Sequence, residues 1–294
     1  MSLSSSPLAG FHPTLAGWFG RAFGEPTPVQ RDAWSAIAAG RHTLIAAPTG
    51  SGKTLAALLP CLSRVALAKE AAMARGTGWP AGVRVLYVTP LKALNNDIQH
   101  HLVGFLGEIE TYGAEAGHGA WPGIRTAVRT GDTLPAERAR MANRPPDVLV
   151  TTPESLYLLL TSDKGRRMLR LAEAIVVDEI HSLAGDKRGA HLSLSLERLA
   201  ALAPRALQRI GVSATQKPLS RVARFLGGWA PAGEGEAGAE PAGGAQADGG
   251  AGADGRDAGG ERGQTAARIG TAGSGHAKRA GDAAAGAEAG PPGG

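Results

Sequence analysis

The stretch "LIAAPTGSGKT", residues 44–54, joins an apolar run to a glycine-rich loop that ends in a lysine and a threonine. Gly50 and Gly52 allow the backbone to turn so that its N–H groups face an anion. A helix that starts after this loop adds the positive end of its dipole. Lys53 is then placed to reach the β- and γ-phosphates of a nucleotide, and the Thr54 hydroxyl is placed to bind Mg²⁺. The candidate nucleotide-binding residues of the loop are Thr49, Gly50, Ser51, Gly52, Lys53 and Thr54.

Apolar runs alternate with helical patterns around this loop and predict an α/β fold with a central parallel sheet flanked by helices. Strands are predicted at 42–47, 83–89, 124–130, 147–152, 173–179 and 208–214. Helices are predicted at 27–39, 53–68, 91–109, 153–160, 186–203 and 217–226, with Pro60 kinking or shortening the second and a loop at 113–123. Ligands of such sheets bind beyond the carboxyl ends of the strands.

The composition changes near Trp229. Residues 231–294 are mostly Gly and Ala and carry nine acidic and five basic side chains, whereas the preceding part is basic. This tail cannot bury enough apolar surface to offset the entropy of the chain. We therefore expect a flexible stretch at 1–10, one folded domain at 11–229 and a disordered tail at 230–294. The basic domain favours a polyanionic partner, though weakly.

The cysteine count and the hydropathy of the sequence indicate the cellular compartment. The single cysteine, Cys61, excludes an intrachain disulfide and favours a reducing environment. The N-terminus lacks the basic start and apolar run of a signal peptide, and no apolar run approaches the roughly 18 residues of a membrane span. We expect a cytoplasmic protein with no membrane partner.

A second motif, "AIVVDEIH" at 174–181, ends an apolar strand in two carboxylates. Asp178 would help to hold the metal, and Glu179 would orient or deprotonate the attacking water. Combined with Lys53, the pair indicates nucleotide hydrolysis, because this reaction needs a phosphate cradle, a metal and a positioned water. Side chains that could relay the nucleotide state are His181, Ser213 and Thr215; a lone histidine is more often structural.

Gln30 precedes the phosphate loop in "EPTPVQRDAW", residues 25–34. Its amide offers a donor and an acceptor that could pair with an adenine edge. The alternative is an exposed glutamine at the start of a helix.

Taken together, these motifs resemble the first RecA-like domain of a superfamily 2 DEAD/DEAH-box helicase and, more narrowly, the Lhr (large helicase-related) family. The resemblance spans most of residues 11–228. The stretches that carry it are "TPLKALNND" (89–97), "VRTGDT" (128–133), "TTPESLYLLL" (151–160), "DEIHSLAGDKRGAHLSLSLERL" (178–199) and "RIGVSATQKPL" (209–219).

The resemblance implies a P-loop NTPase that uses ATP and Mg²⁺ to move 3′-to-5′ along single-stranded DNA and to unwind duplexes. It assigns adenine reading to Gln30, coupling to Ser213 and Thr215, and adenine packing to Phe11 or Phe23, between which the spacing does not decide. Single-stranded DNA and RNA both remain open as partners. Candidate strand-binding residues, each of which could instead be a simple cap, are Thr89, Lys92, Asn95, Arg129, Thr130, Thr152 and Ser155.

Only the first lobe of the family pattern is matched. In two-lobed helicases the arginine that stabilises the γ-phosphate comes from the second lobe. We therefore expect a fragment, a frameshifted product or a split subunit that needs a second RecA-like lobe on another chain, hydrolyses ATP slowly and unwinds no duplex alone. Two other interpretations remain: a non-catalytic, nucleotide-gated module that acts through a partner, and a different P-loop enzyme such as a small-molecule kinase.

Overall fold

A computed structural model describes residues 7–215, 218–227 and 268–272 of the chain, with backbone only at 92–93 and 268–272. The elements are α1 (Pro13–Phe23), α2 (Pro28–Ala38), β1 (His42–Ala46), α3 (Lys53–Ala74), β2 (Val85–Val88), α4 (Lys92–Glu115), β3 (Thr126–Arg129), α5 (Pro135–Asn143), β4 (Val148–Thr151), α6 (Pro153–Thr161), α7 (Asp163–Leu169), β5 (Ala174–Val177), α8 (Ile180–Leu183), α9 (Lys187–Leu202), β6 (Gln208–Ser213), α10 (Leu219–Gly227) and β7 (Arg268–Ala272).

The strands form one sheet in the order β3-β4-β2-β5-β6-β1-β7. Strands β1 to β6 are mutually parallel. The last residues of most neighbours lie in register, since Val88 pairs with Val177 and Thr151 and Ala46 pairs with Ser213, whereas β6 runs two residues past the end of β5. The loops that follow these strands therefore meet at one edge, which we call the carboxyl edge. The predicted α/β fold is confirmed.

Both faces of the sheet are covered, as the near-continuous apolar strands predicted. In β2, Val85 and Tyr87 face a core that contains residues of α1 to α4, whereas Leu86 and Val88 face a second core built largely from α6 to α10. Trp18 and Trp34 are buried in the first core. The thiol of Cys61 is also buried, and this burial raises its pKa to about 11.

Several helices differ from the sequence-based expectation. Helix α3 continues through Pro60 to Ala74, because much of its length packs between other elements and this packing outweighs the missing hydrogen bond. Helix α4 extends to Glu115, so the predicted loop at 113–123 starts three residues late. Four helices were not predicted: α1, α5, α7 and α8. The pattern for α1 was present, since Leu15, Trp18 and Phe19 are spaced for one helical face and are buried.

One short segment of the tail also differs. Residues 268–272 form β7, which pairs antiparallel with β1. Strand β1 would otherwise end the sheet with unpaired backbone groups, and a segment with a β-branched residue at 269 suits that position. The expected disorder elsewhere in 230–294 lies outside the described residues.

In the part of the chain that the structure describes, no helix combines the length and the hydrophobicity needed to cross a membrane.

Candidate nucleotide and nucleic-acid site

The loop after β1 turns at two glycines in the left-handed region, Gly50 with φ of 81° and Gly52 with φ of 82°. Gly52 is also the residue that caps α3. The backbone conformation disfavours a side chain at position 52, and a Cβ atom there would come within 2.5 Å of Gln30 Nε2 and displace the Gln30 amide. Thr49 and Gly50 are exposed at the crest of the loop. The loop therefore leaves its backbone open to a ligand.

Lys53 lies across this loop. Its Nζ donates a hydrogen bond to the Pro48 carbonyl at 2.7 Å, and the Ser51 hydroxyl donates to the same carbonyl at 2.8 Å. Burial lowers the pKa of Lys53, whereas the nearby carboxylates of Glu179 and Asp178 raise it. A partly desolvated cation of this kind is suited to an incoming phosphate.

Asp178 follows β5 and is buried at the carboxyl edge. Its Oδ2 accepts a 2.6 Å hydrogen bond from the hydroxyl of Tyr87, which is fully buried in β2. Burial and the Asp178 carboxylate raise the pKa of Tyr87 well above its usual value, so the hydroxyl keeps its proton. Thr54 lies close enough to this hydroxyl to act on its pKa in the opposite direction. The two predicted metal ligands, Thr54 and Asp178, thus both lie beside one phenol.

This donor set fits Mg²⁺ held on a nucleotide. Magnesium typically takes one or two protein oxygens, with water and substrate phosphates completing the shell. The described residues include no group of three His, Cys, Asp or Glu side chains that could hold a metal by themselves. A hydroxyl and a single carboxylate beside a phosphate loop are sufficient protein ligands for Mg²⁺ that is bound together with ATP.

Glu179 adopts an unusual backbone conformation. Its φ is 46°, and among the described residues it is the one non-glycine residue with positive φ. Its N–H donates to Asp178 Oδ1 at 2.8 Å, which fixes the turn between the two carboxylates. Non-glycine residues in the left-handed region are strained and cluster at functional sites. Here the turn aims the Asp178 carboxylate back towards Tyr87 and leaves that of Glu179 partly exposed.

His181 connects Glu179 to the loop after β6. Its Nε2 lies 3.3 Å from Glu179 Oε2, and its Nδ1 lies 3.2 Å from Ser213 Oγ. The N–H of Ala214 donates to the same Nδ1 at 3.4 Å, so Nδ1 is an acceptor and the ring proton sits on Nε2, facing Glu179. A continuous hydrogen-bonded path therefore runs from the carboxylate to the "SAT" motif. Thr215 is exposed beyond it.

Gln30 is buried, with both ends of its amide engaged. Oε1 accepts from the Thr27 N–H at 2.9 Å in a capping box of α2, and Nε2 donates to the Gly52 carbonyl at 3.4 Å. The exposed-glutamine alternative is wrong, because Gln30 contacts the phosphate loop directly. Of the two aromatic candidates, Phe11 packs on Trp34, whereas Phe23 is 47% exposed.

The predicted strand-binding residues lie at or beside the carboxyl edge, but most of their side chains are buried and used within the fold. The Thr89 hydroxyl and the Asn95 amide both donate to the Leu91 carbonyl. Thr152 caps α6 by accepting from the Ser155 N–H. The buried members are Thr89, Asn95, Thr130, Thr152 and Ser155. Arg129 is half-buried at the end of β3, and the side chain of Lys92 lies outside the described residues.

Arg188, in the first turn of α9, links this helix to α6 and to the loop after β2. Its Nε donates to Glu154 Oε1 at 2.8 Å, and its Nη2 donates to the Pro90 carbonyl at 2.8 Å. Although burial opposes it, this contact lowers the pKa of Glu154. The sequence allowed a contact of Arg188 with nucleic acid or a partner domain, or a solvated basic turn, and did not predict this bridge within the domain. The Arg188 bridge and the Tyr87 hydroxyl are the two site features that sequence reasoning missed.

The profile of the DEAD/DEAH box helicases matches residues 27–222. The chain belongs to the DEAD/DEAH box helicase family. The resemblance inferred from the motifs is thus confirmed, and the RecA-like fold is that of the family's motor domain.

Relatives within the DEAD/DEAH box helicases include Lhr proteins. The chain is 49% identical over 232 residues to an Lhr helicase/probable uracil glycosylase of Mycolicibacterium smegmatis, covering 77% of this chain and 14% of the relative. It is 47% identical over 226 residues to an ATP-dependent helicase Lhr-Core of Methanothermobacter thermautotrophicus, covering 76% and 25%. The chain therefore carries an Lhr-type helicase domain, and it spans a quarter or less of the length of these relatives.

Solved helicase structures agree with this assignment. The Mycobacterium smegmatis helicase Lhr bound to ssDNA and AMP-PNP matches with a TM-score of 0.69 and 49% identity, over 77% of this chain and 28% of that one. The DEAD-box helicase Mss116 bound to ssRNA matches with a TM-score of 0.57 at 18% identity, which shows a shared fold.

Proposed function

We propose that this domain binds Mg²⁺-ATP at the loop after β1, hydrolyses it, and couples hydrolysis to a nucleic-acid strand lying on the carboxyl edge. The observation that carries the proposal is the path from Glu179 through His181 to Ser213 and Ala214. This path links the group placed to handle water to the loop after β6. The nucleotide analogue and ssDNA named for the M. smegmatis Lhr structure support both ligands.

In this proposal each side chain of the nucleotide site has one task. Lys53 exchanges its hydrogen bond to the Pro48 carbonyl for oxygens of the β- and γ-phosphates. Glu179 positions the attacking water and accepts its proton. Tyr87 holds Asp178 in place through its hydroxyl, so that Asp178 and Thr54 can share the metal. The bound Mg²⁺ would neutralise phosphate charge as it develops.

Gln30 is proposed to sense the adenine. When its amide turns to the base, it must release the Thr27 N–H or the Gly52 carbonyl. Either change alters a contact at the phosphate loop or at the start of α2. We propose that adenine binding is signalled to the loop in this way.

The strand partner is proposed to be single-stranded DNA, with 3′-to-5′ movement and duplex unwinding as the activity of a complete two-lobed motor. A second RecA-like lobe on another chain would supply the arginine that stabilises the γ-phosphate. Loss of such an arginine lowers the rate by about 10³- to 10⁵-fold. The chain by itself should therefore bind ATP, turn it over slowly and unwind no duplex.

The test is nucleotide binding and turnover by the purified chain, with and without single-stranded DNA. Wild type should bind a fluorescent ATP analogue in the presence of Mg²⁺, and Lys53→Ala should lose binding. The matched control is Arg75→Ala, which removes one positive charge at the opposite, exposed end of α3. Unwinding of a tailed duplex by the chain alone would refute the need for a second lobe.

Two rival functions give different results in the same assay. If wild type binds ATP but its turnover matches that of Lys53→Ala, the domain is a nucleotide-gated binding module. If turnover is brisk and single strands leave it unchanged, a different P-loop enzyme is favoured. Stimulation by single-stranded DNA supports the motor.

A further inference from the structure

A groove of about 510 Å³ lies between α5, α7 and the end of β3. Four cationic side chains line it: Arg129, Arg138, Lys164 and Arg167. We call this the α5–α7 groove. It is separate from the nucleotide loop, and apart from Arg129 the sequence motifs do not include its basic side chains.

The positive charge in this groove is not neutralised by the fold. Arg129 is half-buried, and its pKa is lowered by burial and by the neighbouring guanidinium of Arg138. Among the described residues, no acceptor forms a hydrogen bond or ion pair with the Arg129 side chain. The one acidic lining residue, Asp163, is paired with Arg166 on the same helix. A cluster of four cations whose charge no acidic lining residue balances favours an anionic ligand.

Part of the groove is preorganised. Arg138 Nε donates to the Thr133 carbonyl at 2.8 Å, and its Nη2 donates to the Gly131 carbonyl at 2.7 Å. These bonds fix the guanidinium against the loop that follows β3. Lys164 and Arg167 are exposed on α7 and make no hydrogen bond or ion pair with other described residues. The groove therefore combines a rigid inner wall with two free cations at its rim.

We propose that the α5–α7 groove binds phosphodiester groups of the nucleic-acid strand after it leaves the carboxyl edge. This inference rests on the proposed function. The groove includes Arg129, the last residue of β3, so it adjoins the carboxyl edge on which the strand is proposed to lie. None of its lining residues is aromatic. Cations without a stacking platform bind the backbone and read no bases.

The test compares two double variants in strand binding. Lys164→Ala/Arg167→Ala removes the two free cations, and Arg75→Ala/Arg205→Ala removes two exposed arginines near the starts of strands, away from the carboxyl edge. Fluorescence anisotropy is measured with labelled single-stranded DNA of roughly 6 and about 16 nucleotides. Each titration is repeated at several salt concentrations, because the salt slope counts the phosphates that are neutralised.

The groove variant should bind the longer strand roughly five- to tenfold more weakly, and its salt slope should fall by about 1.4 for two lost phosphate contacts. Binding of the short strand should hardly change, since it fits on the carboxyl edge alone. Lys164→Glu/Arg167→Glu should give a larger loss on the longer strand. Equal losses of affinity in the groove and control variants, or an unchanged salt slope in the groove variant, would overturn the groove proposal.

Two further outcomes separate the proposals. If wild type binds neither strand, the proposed function fails and the groove fails with it. If wild type binds the longer strand and the groove variant binds it equally well, only the groove proposal fails. Inorganic phosphate is added as a competitor. If phosphate binds in the groove but does not lower the affinity for the longer strand, the groove is a site for free phosphate and not for a strand.

Discussion

The two halves of the carboxyl edge use their polar side chains in opposite ways. The nucleotide half is formed by the loops after β1, β5 and β6, and there Lys53 and Glu179 keep their charged ends partly exposed. The strand half is formed by the loops after β2, β3 and β4, where Thr89, Asn95 and Thr152 are buried and bonded to their own backbone. The first half presents charged side chains, whereas these side chains of the second are used within the fold.

This difference follows from what each ligand requires. Phosphoryl transfer needs particular atoms at fixed places, so the residue types themselves carry the chemistry. A sliding strand needs contacts that do not depend on its bases, so no particular side-chain chemistry is required at each position. Substitutions in the first half should therefore change chemistry, and substitutions in the second should first change stability.

The largest expected effect is on Glu179. Glu179→Gln keeps the size of the side chain and removes the base, so turnover should fall by about 10²- to 10⁴-fold. Affinity for ATP should stay close to that of wild type, because Lys53 and Thr54 are untouched. Steady-state turnover and analogue binding measure the two quantities. If turnover and affinity for ATP were lost together, Glu179 would stabilise the phosphate loop and would not take part in the reaction.

Tyr87 should show a smaller effect that still belongs to the nucleotide half. Tyr87→Phe removes the 2.6 Å donor to Asp178 and leaves a buried carboxylate oxygen without its partner. A hydrogen bond to a charged group contributes about 1.5–3 kcal/mol, so unfolding in urea should show a loss of that order. The Mg²⁺ concentration needed for ATP binding should also rise.

The control for this change is Tyr157→Phe. Tyr157 is partly buried and packs on His191, and its hydroxyl forms no hydrogen bond with other described residues. Its loss should leave both stability and the Mg²⁺ requirement unchanged. If Tyr87→Phe lowers stability but not the Mg²⁺ dependence, the hydroxyl is structural only.

The contrast between the halves also explains what the sequence could predict. Lys53 and Asp178 were identifiable because glycine spacing and a strand followed by two acids are local patterns. Tyr87 was not, because its role depends on β2 lying beside β5, and no local pattern gives strand order. Arg188 was missed for the same reason, since its partners are 34 and 98 residues away. The extension of α3 past Pro60 likewise depended on packing that a propensity argument does not contain.

In the strand half, substitution of Thr152 tests whether a buried hydroxyl stabilises the fold. Thr152→Ala removes the cap of α6, and loss of a cap lowers the free energy of unfolding by about 1 kcal/mol. Thr152→Ser keeps the accepting oxygen and should restore most of it. Strand affinity should fall in step with stability in both variants. A large loss of affinity in Thr152→Ala at unchanged stability would instead place the hydroxyl on the strand.

The smallest expected effect is on the pH dependence of stability, and it involves residues outside both halves of the carboxyl edge. His42, at the start of β1, accepts the Arg209 N–H at Nδ1, and burial together with the charge of Arg209 lowers its pKa. The pKa of His12 is also lowered, mainly by burial. Above the usual histidine pKa of about 6.5, both histidines are neutral in the folded and the unfolded state. Their titration therefore does not change the free energy of unfolding in that pH range.

As the pH falls through that value the unfolded chain takes up protons first, so the free energy of unfolding decreases, and the decrease levels off once the pH is below the folded pKa. Urea unfolding at a series of pH values should show this slope. His42→Asn retains an acceptor for the Arg209 N–H and should flatten the slope without changing ATP binding at neutral pH. An unaltered slope in this variant would assign the acid sensitivity to other groups, those of the nucleotide half included.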